Sequence, residues 1–182
     1  RLSSTNAEKT LIPYLKSRGL SRLDVLVLTH TDTDHMGDML EVAKHFSIKE
    51  IYVSKGSLTQ SDFVEKLERM QTRIHAVEVG DSLPIFDGSL QVLYPEDTGD
   101  GSNDDSVVLY GKLFGTSFLF TGDLEENGEA ALMGRFPQLK VDVLKAGHHG
   151  SKGSSSPEFL HQLQPKIALI SAGRNNRYKH PH

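Results

Sequence analysis

The stretch Asp24-Val-Leu-Val-Leu-Thr-His-Thr-Asp-Thr-Asp-His35 decides how this chain folds. Its first half is a continuous apolar run, which predicts a buried strand. Its second half places two histidines and two aspartates within six residues. Such a loop directs alternate side chains into one pocket, so we expect His30 and Asp32 to hold one cation and Asp34 and His35 to hold a second. The alternative is that the aspartates form turns and cap the next helix, which explains neither histidine.

Apolar periodicity and turn signals along the rest of the chain predict a mixed α/β fold with helices on the faces of sheets. Thr5 and Glu8 form a capping box for the first helix, and Gly19 ends it. Tight turns at 87–88 and 115–116 predict hairpins. Helices are predicted at 5–18, 39–46, 61–72, 125–135 and 157–163, and strands at 24–29, 50–53, 74–79, 89–94, 106–113, 116–121, 141–146 and 166–171. With no repeat and no long linker, we treat residues 1–182 as a single domain.

The composition excludes several kinds of site. Because there is no cysteine, the chain has no disulfide, thiolate zinc site or cysteine nucleophile, and histidine and carboxylate are the strong metal ligands that remain. The longest apolar runs are far shorter than a membrane span. A start at Arg1 without Met indicates a fragment of a longer protein.

The net charge of −4 conceals a basic C-terminal part. Residues 140–182 contain seven Lys or Arg and two acids, a net charge of +5, so the preceding 139 residues carry −9. A polyanion such as nucleic acid is attracted to this end, whereas the alternative is an ordinary solvated surface. The sequence leaves both interpretations open.

A second strand end presents a carboxylate. In Phe118-Leu-Phe-Thr-Gly-Asp123, an apolar strand ends in a glycine turn. Asp123 is in a position to bridge two cations about 4 Å apart. The alternative is an ordinary helix N-cap, since Glu125 and Glu126 follow in the first turn.

A third strand runs into a histidine pair, in Val143-Leu-Lys-Ala-Gly-His-His-Gly-Ser151. We predict His148 as a metal ligand, and Lys145, His149 and Ser151 as residues that contact the substrate. The alternative is a plain surface loop.

The tail Gly173-Arg-Asn-Asn-Arg-Tyr-Lys-His-Pro-His182 follows the last predicted strand. We predict that Arg174, Arg177 and His180 bind the substrate, because two arginines near a metal site suit a phosphodiester better than a neutral amide. A disordered basic terminus is the alternative. Since each of the four clusters follows a strand, and sites in layered α/β folds assemble at strand ends, we expect the clusters to form one site.

Taken together, these motifs resemble the metallo-β-lactamase superfamily: His30-x-Asp-x-Asp-His35, then Thr121-Gly-Asp123, then Gly147-His-His-Gly-Ser151. Asp32, where most members have histidine, combines with Asn103-Asp-Asp-Ser106 and the basic tail to resemble the extracytoplasmic hydrolase domain of ComEC-type competence proteins. These proteins are DNA-uptake channels of naturally transformable bacteria. The resemblance covers the chain from Thr5 to His182.

The resemblance implies an αββα sandwich with the site on one edge of its two sheets. The family's opening strands are absent upstream of Arg1, so we expect the first sheet to be partial. Asn103 stands where other members place a further histidine ligand. The family's metal-ligand positions correspond here to His30, Asp32, Asp34, His35, Asp123 and His148.

From the residues and the resemblance together, we predict a metal-dependent DNA phosphodiesterase that acts during DNA uptake. It would use two divalent cations, with Asp34, Lys145 and His149 in catalytic roles. Asp32 makes the first site richer in oxygen, which favours Mn²⁺ over Zn²⁺ or Mg²⁺. The expected partners are DNA and the membrane-channel portion of the same polypeptide. The expected location is the extracytoplasmic face of a bacterial membrane, and the isolated domain is expected to be monomeric.

Two other functions stay open on the sequence. One keeps the fold and the metals but hydrolyses a lactone, thioester or lactam, and it predicts an apolar pocket for an acyl chain. The other is a non-catalytic DNA-binding module of the uptake channel, in which cations only fix loops.

Overall fold

The structure is a computed structural model that describes residues 11–85 and 88–170, without the side chains of residues 33–35 and 149. Within these residues, short 3₁₀ turns lie at Gly56–Thr59, Asn103–Asp105 and His148–Gly150. In the described part the helices are α1 (Ile12–Ser17), α2 (Thr33–His45), α3 (Ser61–Arg69), α4 (Glu126–Arg135) and α5 (Pro157–Leu163). The strands are β1 (Arg22–Leu28), β2 (Ser47–Ser54), β3 (Arg73–Val77), β4 (Ser82–Ile85), β5 (Gly88–Tyr94), β6 (Val108–Leu113), β7 (Thr116–Phe120), β8 (Val143–Lys145) and β9 (Ile167–Leu169).

The described strands form two sheets that differ in topology. The first is parallel, in the order β1-β2-β3. The second has the order β4-β5-β6-β7-β8-β9, with antiparallel pairing from β4 to β7 and parallel pairing from β7 to β9. The parallel segments of both sheets therefore present strand carboxyl ends, where α/β folds place their sites.

Three apolar clusters show that the sheets lie between two helical layers. Val77, Leu83, Val92 and Leu109 bring strands of both sheets together in the centre. A second cluster packs α2 and α3 on the outer face of the first sheet, and a third packs α4 and α5 on the outer face of the second. This four-layer arrangement confirms the predicted αββα fold, with three described strands in the first sheet.

Some boundaries differ from the sequence-based predictions for physical reasons. We expected β1 to be buried, but only Leu28 is fully buried, and among the described strands β1 lies at the edge of the first sheet. β4 was not predicted, since Pro84 argues against a central strand, and the structure places it at the edge that proline tolerates. Gly19, at a φ of +74°, follows α1 as expected of a helix end. Thr5, Glu8 and Asp87 lie outside the described residues.

The helices of residues 11–85 and 88–170 are short. The longest, α2, has 13 residues, whereas crossing a bilayer takes about 20 apolar ones. None of the described helices combines the length and the apolar character that a membrane span requires.

Candidate metal centre

Two of the predicted site residues follow neighbouring parallel strands. β7 and β8 pair in register, with Phe120 opposite Lys145, so the strands end at the same sheet edge. Asp123 and His148 each come three residues after these two ends. The amide of His148 lies 3.4 Å from the carbonyl oxygen of Gly122, which joins the two loops.

The loop after β1 reaches the same place from the first sheet. The carbonyl of Thr29 accepts a hydrogen bond of 2.9 Å from the amide of Val107, just before β6. The amide and hydroxyl of Thr31 both donate to the carbonyl of Gly101, at 2.9 and 3.1 Å. These bonds attach the loop of the first sheet to the second sheet and hold His30 at the junction.

His30 and Asp123 meet at this junction in a buried setting. Their side chains approach to 3.5 Å between Nε2 and Oδ2, and only 1% of His30 and 6% of Asp123 is exposed. The other ring nitrogen, Nδ1, lies 2.8 Å from the hydroxyl of Thr29 and 3.4 Å from that of Ser106. When a hydroxyl accepts the Nδ1 proton, Nε2 keeps the lone pair that a metal ligand needs.

Ser106 links the two residues of this pair. It is completely buried, and its hydroxyl accepts the amide hydrogen of Asp123 at 3.1 Å while facing Nδ1 of His30. Neither Ser106 nor Thr29 was predicted as a site residue. The only sequence signal is that each is a polar residue bordering an apolar strand, which does not identify its partner.

The chemistry of the pair fits a divalent cation. An imidazole nitrogen and a carboxylate oxygen are ligands that Zn²⁺ and Mn²⁺ both accept. Two donors about 2.1 Å from one ion, at a tetrahedral angle, lie about 3.4 Å apart. His30 Nε2 and Asp123 Oδ2, separated by 3.5 Å, match that spacing.

The structure brings together fewer of the predicted ligands than the sequence proposed. Among the side chains it describes, no three of the histidine or acidic type come close enough to hold an ion. The predicted ligands Asp34 and His35 are outside this comparison, as is His149, because their side chains are not described. Arg174, Arg177 and His180 lie outside the described residues.

Asp32 and His148 are the other two predicted ligands whose side chains the structure describes. Asp32 is half-buried and directly precedes α2, and its carbonyl accepts the amide of Met36 at 3.1 Å. His148 begins a 3₁₀ turn with a left-handed φ of +42°, and its Nδ1 lies 3.6 Å from Oε1 of Glu125. Their roles as ligands stay predictions.

Lys145 brings a positive charge to this sheet edge. Burial lowers the pKa of its ammonium group, and the negative charge of Asp123 acts in the opposite direction. The ammonium also donates to the carbonyl of Ala146 at 3.3 Å. A half-buried cation beside the carboxylate is suited to neutralising an anionic substrate.

Ser151 lies on the far side of the His148 loop. Its hydroxyl accepts the amide of Gly153 at 3.2 Å. It also lines a cavity of about 210 Å³, together with Leu144, Ala146, Gly150, Ser154, Ser155, Leu160, Ala168 and Ile170. Mostly small and apolar residues therefore border this side of the loop.

The capping alternative for Asp123 is wrong. Helix α4 begins at Glu126 with Glu125 at the N-cap position. The first amides of the helix are bound elsewhere: Asp104 Oδ1 accepts those of Glu125 and Gly128, at 3.1 and 2.9 Å. Asp123 lies three residues before the first residue of the helix, outside its N-cap position.

A four-layer fold with a histidine and carboxylate pair at the strand ends is typical of metallo-hydrolases. The sequence matches the family model described as the metallo-beta-lactamase superfamily over residues 2–174, and the chain belongs to that superfamily. This confirms the family and the fold that the motifs predicted.

Competence proteins are among its relatives. The chain is 46% identical over 179 residues to ComE operon protein 3 of Bacillus subtilis strain 168, covering 96% of this chain and 23% of that protein. It is 35% identical over 180 residues to competence protein ComA of Neisseria gonorrhoeae, covering 96% and 24%. The chain thus spans about a quarter of the length of these relatives.

A solved structure shares the fold at low sequence identity. The metallo-beta-lactamase fold protein YhfI from Bacillus subtilis superposes with a TM-score of 0.53 at 12% identity, covering 94% of this chain and 83% of the other. This likeness supports the fold alone.

Gly122 provides a test of how tightly the centre is assembled. Its φ is +57°, and an added Cβ would lie 2.9 Å from both Cβ and Oγ1 of Thr29 and from Cβ of Ser106. Gly122→Ala should lower the free energy of unfolding by about 1–2 kcal/mol through its left-handed backbone. Crowding should lower it by about 1–3 kcal/mol more. The same change should weaken the rise in melting temperature that Mn²⁺ produces.

Gly115→Ala is the matched control. Gly115 also has a positive φ, +78°, but an added Cβ would meet nothing within 4 Å. Urea unfolding should therefore show the backbone effect alone, with the response to Mn²⁺ intact. Equal losses of stability in the two variants would mean that the junction tolerates a methyl group, contrary to this description.

Proposed function

We propose that this domain is a metal-dependent phosphodiesterase that cleaves DNA within a competence-type uptake protein. The observation that supports this most is the buried His30 and Asp123 pair, set where the two sheets join and next to the cation of Lys145. The relationship to competence proteins favours DNA over other phosphodiesters.

In this proposal each described residue has a distinct task. His30 and Asp123 hold a divalent cation, and Thr29 and Ser106 fix the orientation of the imidazole and the carboxylate loop. Bound divalent ions supply an activated water and offset negative charge on the phosphate. Lys145 binds a phosphate oxygen, and its loss of hydration strengthens that interaction.

The remaining sequence predictions complete the proposal. Asp32, Asp34, His35 and His148 complete a pair of metal sites, for which the oxygen-rich set favours Mn²⁺, with Zn²⁺ or Mg²⁺ as substitutes. His149, Ser151 and the basic tail with Arg174, Arg177 and His180 contact the substrate.

The cellular setting is also part of the proposal. We place the domain on the extracytoplasmic face of the bacterial membrane, as a folded part of a longer chain whose other portion forms the channel. The isolated domain is expected to be monomeric.

Replacement of the proposed bridging carboxylate tests the reaction. Asp123→Asn should reduce Mn²⁺-dependent degradation of plasmid and single-stranded DNA on the order of 100-fold or more, because even residues that only support metal ligands change activity by about 10- to 100-fold. Lys145→Met should reduce kcat while leaving Mn²⁺ binding in place. The measurement is nuclease activity on a gel, with circular dichroism to verify folding.

Asp62→Asn is the control, since Asp62 is an exposed aspartate in the first turn of α3. It should retain full activity. A folded Asp123→Asn protein with wild-type turnover would remove Asp123 from the site. A wild-type protein that binds DNA and metal but cleaves nothing would favour the non-catalytic module instead.

A second candidate function is supported by one specific observation. The cavity of about 210 Å³ beside Ser151 has Leu144, Leu160 and Ile170 among its lining residues, and an apolar pocket is what an acyl-bearing lactone, thioester or lactam requires. This candidate uses the same metals but has no need of the basic tail.

The salt dependence of DNA binding distinguishes a DNA substrate from a small lactone, thioester or lactam. In a His30→Ala background, which prevents degradation, Arg174→Ala with Arg177→Ala should weaken binding of all DNA sequences alike. It should also reduce the slope of log affinity against log salt by about 0.7 to 0.9 for each lost phosphate contact. An unchanged slope, measured by fluorescence anisotropy at several salt concentrations, would favour the small-molecule hydrolase.

A further inference from the structure

Glu129 is a buried carboxylate on the helix that follows Asp123 in the sequence. It lies in α4 with only 1% of its surface exposed. Its Oε1 accepts the amide hydrogen of Ser155, and its Oε2 accepts that of Ser156 at 3.0 Å. Burial raises the pKa of this carboxyl, and the two amide hydrogen bonds act in the opposite direction. Burial therefore favours the neutral carboxyl group, whereas the two hydrogen bonds favour the ionised carboxylate.

The two amides that it binds form the end of the His148 loop. Within this loop, the hydroxyl of Ser154 donates to the carbonyl of Gly147 at 2.9 Å, and the amide of Ser151 donates to the carbonyl of His148 at 2.9 Å. The loop thus behaves as a connected unit from Gly147 to Ser154. Glu129 attaches the end of that unit to α4.

The same helix follows Asp123 in the sequence. α4 begins three residues after Asp123, and the amide of Glu126 donates to the carbonyl of Gly153 at 3.0 Å. One helix therefore contacts the His148 loop at two places and continues directly from the loop that carries Asp123. A change in how the loop sits on α4 changes where His148 stands relative to Asp123.

The hydrogen bonds of Glu129 are not needed to start helix α5. That helix has its own N-cap, Ser156, whose hydroxyl accepts the amide of Phe159 at 3.2 Å, and Pro157 occupies its first position. Ser155 has a left-handed φ of +56°, which a serine rarely adopts. Such backbone strain persists where surrounding contacts fix it, and the bond to Glu129 is such a contact.

We propose that Glu129 is a positioning residue, which fixes the loop from His148 to Ser156 on α4 and thereby sets the position of His148 at the metal centre. The proposal rests on the proposed function for its kinetic consequence only. Glutamine at this position is close in size, but its NH₂ group would face an amide donor. The loop would then lose one of its two attachments to this side chain.

The test compares Glu129→Gln with Glu126→Gln, which removes the same charge from an exposed position on the same helix. Hydrogen–deuterium exchange reports on the loop, calorimetric titration with MnCl₂ reports on the metal, and hydrolysis of bis(p-nitrophenyl) phosphate gives kcat and KM. In Glu129→Gln, we expect amides 148–156 to exchange at least about 10-fold faster while β7 and β8 keep wild-type exchange. Mn²⁺ affinity and kcat should each fall by about 10- to 100-fold, with a smaller change in KM. Glu126→Gln should match the wild type.

A second variant tests for rescue of the loop and distinguishes a local effect from misfolding of the domain. Ser155→Gly in the Glu129→Gln background removes the left-handed strain, so it should recover part of the loop protection and part of the Mn²⁺ affinity. Exchange that rises equally throughout the domain, or unchanged loop exchange and Mn²⁺ affinity in Glu129→Gln, would overturn the positioning role. If the wild type hydrolyses no phosphodiester, the proposed function fails, whereas loop exchange and metal affinity still decide the role of Glu129.

Discussion

The candidate centre depends on the hydrogen bond from the amide of Val107 to the carbonyl of Thr29, 2.9 Å long, which joins the two sheets at their strand ends. His30 directly follows Thr29 in the sequence, and Ser106 directly precedes Val107, so this hydrogen bond brings the two residues together. Ser106 also accepts the amide hydrogen of Asp123. The backbone contact between the sheets therefore helps to fix the distance between the His30 imidazole and the Asp123 carboxylate. Gly122 permits this approach, since no side chain fits where its Cβ would be.

Electrostatics at this junction favour a bound cation. A carboxylate taken out of water is unfavourable unless it is paired, and a buried imidazole prefers to be neutral. In the proposed function, a divalent ion held by Asp123 and His30 would satisfy both preferences, because it would pair with the carboxylate and bind a neutral imidazole. Lys145 adds a cation at the rim, which suits an anionic substrate. Glu129 is a second buried carboxylate, and the two amides that bind it suit a structural attachment.

The strands that lead into the candidate centre could be predicted from the local sequence, because their apolar residues form recognisable runs. The apolar runs before Asp123 and His148 predicted strands at the positions of β7 and β8, whereas their parallel pairing was not predicted and comes from the structure. The contacts of Ser106 and Glu129 could not be predicted, because their partners lie 17 to 76 and 26 to 27 residues away in the chain. The three-dimensional packing decides which of the chain's many serines and glutamates contact these partners.

We propose above that His30 and Asp123 hold one divalent cation between them. Crystals of the domain grown with MnCl₂, with diffraction data collected at the manganese absorption edge, test it directly. We expect an anomalous-difference peak about 2.0–2.2 Å from both His30 Nε2 and an Asp123 carboxylate oxygen. An anomalous map with manganese bound elsewhere, and no peak between these two side chains, would contradict it.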